Sequence, residues 1–136
     1  MKFDTKIAVV LRDDLQTWQK LNVTAFTISS IAGTAAGIMG QNYQDASGNI
    51  YLPTMVQPVL IFEATATQIK TVYGRAMSRD LQFSIYTEEL FATGNDEDNR
   101  AAVEAVPEAD LKIVGMAFRT DRNTLDKVVK GLALHK

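Results

Sequence analysis

The stretch from Leu21 to Gly40 carries no charged residue, and the uncharged window runs on through Gln44 before it meets Asp45. In a chain where 22% of residues are charged, a run of that length constrains the fold more than any other feature. Read as a helix starting near Thr17, it places Trp18, Leu21, Ala25, Ile28, Ala32, Ala35 and Met39 at alternating spacings of three and four, one apolar stripe. Val23, Phe26, Ile31 and Ile38 widen the stripe until most of the circumference is apolar. The expectation is a central helix buried on several sides. A second row, Ala25, Ser29, Gly33 and Gly37, is small throughout and suits close approach of another backbone.

Three other readings compete for this stretch. A membrane span needs about 20 predominantly apolar residues. Asn22, Thr24, Thr27, Ser29, Ser30 and Thr34 interrupt this one, and leucine is scarce, so no membrane partner is expected. A dinucleotide site would use Gly33, Gly37 and Gly40, but their spacing is not G-x-G-x-x-G and no acid follows in the required window, so no cofactor is expected. A strand followed by a helix break, without a cofactor, is the third alternative.

At 136 residues the chain reads as a single α/β domain over residues 1–136. With 14 basic residues against 16 acidic, the formal charge is −2, and no diffuse positive field exists to hold a phosphate backbone. Nucleic acid is therefore not the expected partner, and Lys70, Arg75 and Arg79 read as a solvated helix face. Without cysteine there is no disulfide, thiolate nucleophile or sulfur-ligated metal. Lys2, Asp4 and Lys6 precede a short apolar run with no small-residue cleavage site, so the N-terminus does not read as a signal peptide and the expected location is cytoplasmic.

Lys6 to Leu11 is a short, non-alternating apolar run, which suits a strand covered on both faces. Asp13 and Asp14 then read as capping acids for the long helix, or as ligand groups at a strand's carboxyl end. Asp45, Ser47, Gly48 and Asn49 signal a turn between two extended pieces, and Pro53 and Pro58 forbid a helix there. Val59 to Phe62 is a second strand. Thr65 with Gln68 forms a capping box for a helix to Arg79. Leu81, Phe83 and Ile85 alternate with polar neighbours as a third strand, and Asn95 or Asp96 opens a helix through Val106. Leu111 to Phe118 is a fourth strand, whose internal Gly115 marks a bulge or a close backbone approach. Thr120 or Asp121 opens a last helix ending near Gly131. Four strands alternating with helices call for a layered α/β fold with crossover connections.

Little chemistry is written into these segments. His135, beside the C-terminus, reads as a frayed surface residue, and no metal site is expected, since an all-carboxylate set from Asp13, Asp14, Glu88 and Glu89 has no spacing motif. Ser29 and Ser30 lack a nucleophile elbow. Asn22 is costly to bury unpaired, so it bonds a neighbouring loop or faces a ligand. Asp14 and Glu88 each lie just past a strand end, and they remain as the acid–base candidates.

The segments VVLRDDLQTWQKLNVTAF, YQDASGN, TEELFATGND and IVGMAFRTDRNTLDKVVKGLALHK resemble a bacterial family, the domain of unknown function numbered two thousand. That family is similar in fold to the archaeal and eukaryotic type of peptidyl-tRNA hydrolase. The resemblance implies a four-stranded mixed sheet with helices on both faces, and a homodimer. Arg12, Asp14 and Leu15 match the turn that ends those hydrolases' first strand. Their next helix carries lysine, glutamine and histidine where this chain has residues around Asn22, Phe26 and Ser29. Their later strand ends in aspartate, alanine-glycine and threonine where this chain reads Thr87, Glu88, Glu89. The expectation is a homodimeric protein of unknown function, binding a small molecule or catalysing an unknown reaction beside the ends of the first and third strands. Arg12 is its candidate anion clamp, Asn22 and Thr87 its candidate polar contacts, and Glu88 its acceptor or base. The alternatives are peptidyl-tRNA hydrolysis and a non-catalytic homodimeric interaction module.

Overall fold

The computed structural model describes residues 2–136. In chain order the elements are β1 (Thr5–Arg12), α1 (Thr17–Thr34), a hairpin of β2 (Tyr43–Gln44) and β3 (Ile50–Tyr51), β4 (Val59–Ala64), α2 (Ala66–Ser78), β5 (Phe83–Thr87), a 3₁₀ turn over Glu88–Ala92, α3 (Asp96–Glu104), a 3₁₀ turn over Glu108–Asp110, β6 (Ile113–Asp121), α4 (Arg122–Val128) and β7 (Ala133–Leu134). The main sheet is mixed, in the order β5-β6-β1-β4-β7. β1 runs parallel to β4 and antiparallel to β6, and β5 runs antiparallel to β6.

The sheet has five strands where the sequence suggested four. Gly131, at φ +92°, turns the chain after α4, and Ala133 and Leu134 then pair with Glu63 and Phe62 of β4. A two-residue strand is too short to leave a pattern in sequence. It also changes the reading of His135, which is not frayed. Its backbone N–H donates to the Ile61 carbonyl at 2.8 Å, its side chain is 26% exposed, and Nε2 lies 3.0 Å from Lys20 Nζ.

β1 is covered on both faces, as its unbroken apolar run requires. Ala8 and Val10 pack with Ile69, Val72 and Ala76 of α2 and Leu125 and Val128 of α4. Ile7, Val9 and Leu11 face the other way and pack with Val23 and Ile31 of α1. The capping boxes differ from expectation at one end only. Thr65 and Gln68 cap α2 reciprocally, at 2.9 and 3.1 Å. At α1 the cap is Gln16, whose N–H donates to Gln19 Oε1, and neither Asp13 nor Asp14 serves it.

The central helix is shorter than expected and is buried on one side only. It ends at Thr34, because Ala35 turns extended and Gly37 takes φ +71°. Its buried row is Val23, Thr27 and Ile31, while Trp18, Leu21 and Phe26 are more than half exposed. Thr27 tolerates burial because its hydroxyl donates to the Val23 carbonyl at 2.8 Å. The small row does not meet a backbone of this chain: Ala25, Ser29 and Gly33 all face outward. Close approach occurs instead at Gly115 in β6, where an added Cβ would stand 2.2 Å from a Val23 methyl.

Between α1 and β4 the chain makes an arm. Val56 donates to the Ile38 carbonyl and Gly40 to that of Thr54, while buried Gln57 bonds Thr5 twice at the base. At the tip the Asp45 carboxylate accepts from Asn49, from the Tyr51 hydroxyl and from the Ser47 N–H. These bonds, led by the Asn49 side chain, hold Asp45 at about 2, below the ordinary carboxylate value. A folded value below the unfolded one stabilises the turn above the ordinary pKa, and that contribution is lost as pH falls through the folded value. NMR signals of Ser47, Gly48 and Asn49 should hold their positions from neutrality down to about pH 4 and move with a midpoint near 2. A midpoint near the ordinary aspartate value would contradict this account of the tip.

Candidate functional site

β1 and β5 are both antiparallel to β6, so their carboxyl ends lie on the same edge of the sheet. That topology gathers most of the residues singled out in sequence. Arg12, the last residue of β1, donates from Nε to Asp14 Oδ1 and from Nη1 to Glu88 Oε1, both at 2.6 Å. Burial works against the guanidinium charge, and the hydrogen bonds to Asp14 and Glu88 more than offset it, so Arg12 titrates above its ordinary value. Its side chain is 16% exposed, against 62% for Asp14 and 41% for Glu88. The Glu88 N–H donates to the Lys112 carbonyl at 3.0 Å and fixes the turn that carries its carboxylate.

Thr87 ends β5 where the pairing with β6 shifts register. It is 1% exposed, and its hydroxyl is buried without a hydrogen-bond partner among the described residues. Such a group costs about 1–3 kcal/mol in desolvation.

Arg12 lies on the α2 side of the sheet and opens onto a cleft of about 880 Å³. Lys70, Tyr73 and Met77 of α2 form one wall, and Glu108, Lys112 and Ile113 the other. The Tyr73 hydroxyl donates to Glu108 Oε2 at 2.7 Å, which raises the phenol above its ordinary value. No sequence pattern signals this cleft, since its second wall is a 3₁₀ turn without periodicity. Lys70 stands apart from the basic helix face expected for it: Arg75 bonds the Val128 and Lys130 carbonyls, and Arg79 the Arg75 carbonyl.

Asn22 does not enter this cleft. It lies on α1, across the sheet, and its amide donates to the Tyr86 hydroxyl at 3.4 Å. It lines a separate hollow with Trp18 and Phe91. Among the described residues, no three histidine or acidic side chains gather closely enough to hold a metal ion.

Residues 5–136 match the family described as a protein of unknown function (DUF2000), and the chain belongs to that family. It is similar to the solved structure of a protein of unknown function from Agrobacterium tumefaciens, at 45% identity and a TM-score of 0.96, over 99% of this chain and 100% of that one. No curated protein matches. The arrangement at the sheet edge is a guanidinium held between two carboxylates, at the mouth of a mostly apolar cleft.

If the Thr87 hydroxyl has no partner, replacing it with a methyl of the same shape removes a desolvation cost. Thr87→Val should raise the free energy of urea unfolding by about 1 kcal/mol. A loss of that size would show that the hydroxyl is bonded.

Proposed function

We propose that the protein binds a small anionic molecule with an apolar body in the cleft below Arg12, as one domain on a peptidyl-tRNA-hydrolase-like scaffold. The observation that carries this reading is Arg12 itself. Its Nε and Nη1 are fixed by Asp14 and Glu88, which leaves Nη2 without a protein partner among the described residues. Lys70 and Lys112 add cationic groups to the same lining, and Ile69, Met77, Leu111 and Ile113 give it an apolar body. A held guanidinium loses less entropy per hydrogen bond when it takes up a carboxylate or phosphate. Glu88, with a second carboxylate oxygen beyond the one on Arg12, is the group placed to accept a proton, and Asp14 holds the clamp. Hydrolysis of peptidyl-tRNA is less well supported, because α1 presents Asn22, Phe26 and Ser29 where the hydrolases carry lysine, glutamine and histidine.

The same reading includes a homodimer in the cytoplasm. Among the described residues no helix is long and apolar enough to cross a membrane. The arm exposes Tyr43, Ile50, Tyr51 and, at 84%, Leu52, a contiguous run of apolar chain that a second copy would cover.

Thermal-shift titration with hexanoate, phenylacetate and phenyl phosphate tests the cleft. At least one should stabilise the wild type saturably, and Arg12→Met should weaken it about 10- to 100-fold, the value of a charge-assisted hydrogen bond. Asn22→Ala should leave it unchanged. Equal binding by Arg12→Met, or no stabilisation by any of the three, removes the proposal. Sedimentation at micromolar concentration tests the arm: a dimer for the wild type and a monomer for Leu52→Glu are expected, and a wild-type monomer contradicts it.

A further inference from the structure

The hollow that Asn22 lines is on the opposite face of the sheet from the Arg12 cleft, and its chemistry is different. It holds about 280 Å³ between α1, the Glu88–Ala92 turn and the start of α3. Four aromatic side chains form its wall as a chain of ring contacts, two edge-on and one tilted. Trp18 meets Phe91 at 5.8 Å between ring centres, Phe91 meets Tyr86 at 5.0 Å, and Tyr86 meets Phe26 at 5.9 Å. Successive ring planes turn by 71°, 51° and 61°, so the wall presents π-systems in several directions. The wall is held in place: the Trp18 Nε1–H donates to Gln16 Oε1 at 2.8 Å, and Tyr86 is 4% exposed.

Its polar groups are acceptors and neutral amides. No lysine or arginine is among the lining residues, whereas Asp96 is. Asp96 pairs with Arg100 one turn along α3, so its charge is shared. The charge beside the hollow is nonetheless net negative, since α3 carries Asp96, Glu97, Asp98 and Glu104 with Arg100 as its one base. Asn22 donates one amide N–H to the Tyr86 hydroxyl, and its amide oxygen has no protein partner among the described residues.

We propose that this hollow binds a compact organic cation, a methylated ammonium. Aromatic walls attract such a group through the ring quadrupole, an attraction that strengthens as the cation is desolvated. The carboxylate of Asp96 and the negative field of the following helix draw it in. The Asn22 oxygen and the amide of Asn99 receive a hydroxyl or amine on its tail. An anion finds no cationic partner among the lining residues, and a neutral body of the same shape gains only the apolar contact.

Trp18 is the single tryptophan of the chain, so its fluorescence reports this wall alone. The test is a titration of the intact protein with choline, and in parallel with 3,3-dimethyl-1-butanol, in which carbon replaces the charged nitrogen, at constant ionic strength. Choline should change the Trp18 emission saturably, with half-saturation about tenfold or more below that of the neutral isostere. Phe91→Leu and Asp96→Asn should each weaken choline about three- to tenfold and leave the isostere unchanged. Should Phe91→Leu fold poorly by circular dichroism, Asp96→Asn, at the exposed first position of α3, decides alone. An absent or unsaturable response, an equal response to the isostere, or choline binding unaltered by Asp96→Asn overturns the proposal.

Discussion

Val23 occupies the space that a side chain at position 115 would fill. The strand β6 carries glycine there, and an added Cβ would stand 2.2 Å from the valine methyl, closer than any real contact. Around this point α1 lies down on the sheet, with Val23 fully buried and Thr27 and Ile31 continuing the row. Ile28 and Ala35 pack partly against the same cluster, and Trp18 and Phe26 meet the rings of Phe91 and Tyr86. The position of α1 holds Trp18, Asn22 and Phe26 against Tyr86 and Phe91.

Two hollows on opposite faces result from one topology. Side chains alternate along β1, so Arg12 follows Ala8 and Val10 toward α2, while Ile7, Val9 and Leu11 follow α1. β5 reaches the same edge because it is antiparallel to β6, as β1 is. The Glu88 carboxylate therefore meets Arg12 on one side while Tyr86, two residues earlier, packs under α1 on the other. The first hollow carries cationic groups, Arg12, Lys70 and Lys112, among the carboxylates of Asp14, Glu88, Glu108 and Asp110, and the second is aromatic with no cationic side chain in its lining. The difference in lining, cationic groups in one and aromatic rings in the other, is what makes separate ligands a physical expectation.

Much of this was legible in sequence. The unbroken apolar run of β1 implied cover on both faces, Thr65 and Gln68 capped α2, and Gly115 marked a close approach. Arg12, Thr87 and Glu88 were placed at strand ends; Arg12 and Glu88 meet in an ion pair, while the Thr87 hydroxyl is buried without a partner among the described residues. The buried face of α1 was not legible. A helix without charges offers two plausible stripes, and the longer one, through Trp18, Leu21 and Ala25, is the solvent side. Thr27 misled because a hydroxyl that donates to its own helix is as easily buried as a methyl. Asp13 and Asp14 looked like caps, but the turn leaves that role to Gln16 and gives Asp14 to Arg12. The fifth strand and the second wall of the Arg12 cleft are too short or irregular to carry a period. The split of the candidate residues between two faces required knowing which way Arg12 points.

The seating of α1 on Gly115 is the contact that places the helix on the sheet, and a double-mutant cycle measures it directly. Gly115→Ala should cost about 1–3 kcal/mol of unfolding free energy from overpacking. In a Val23→Ala background most of that cost should vanish, because the next atoms, the Val10 oxygen at 3.5 Å and a Leu11 methyl at 3.6 Å, leave room for a methyl group. If the two substitutions instead add within about 0.5 kcal/mol, position 115 does not feel Val23, and α1 is held by some other contact.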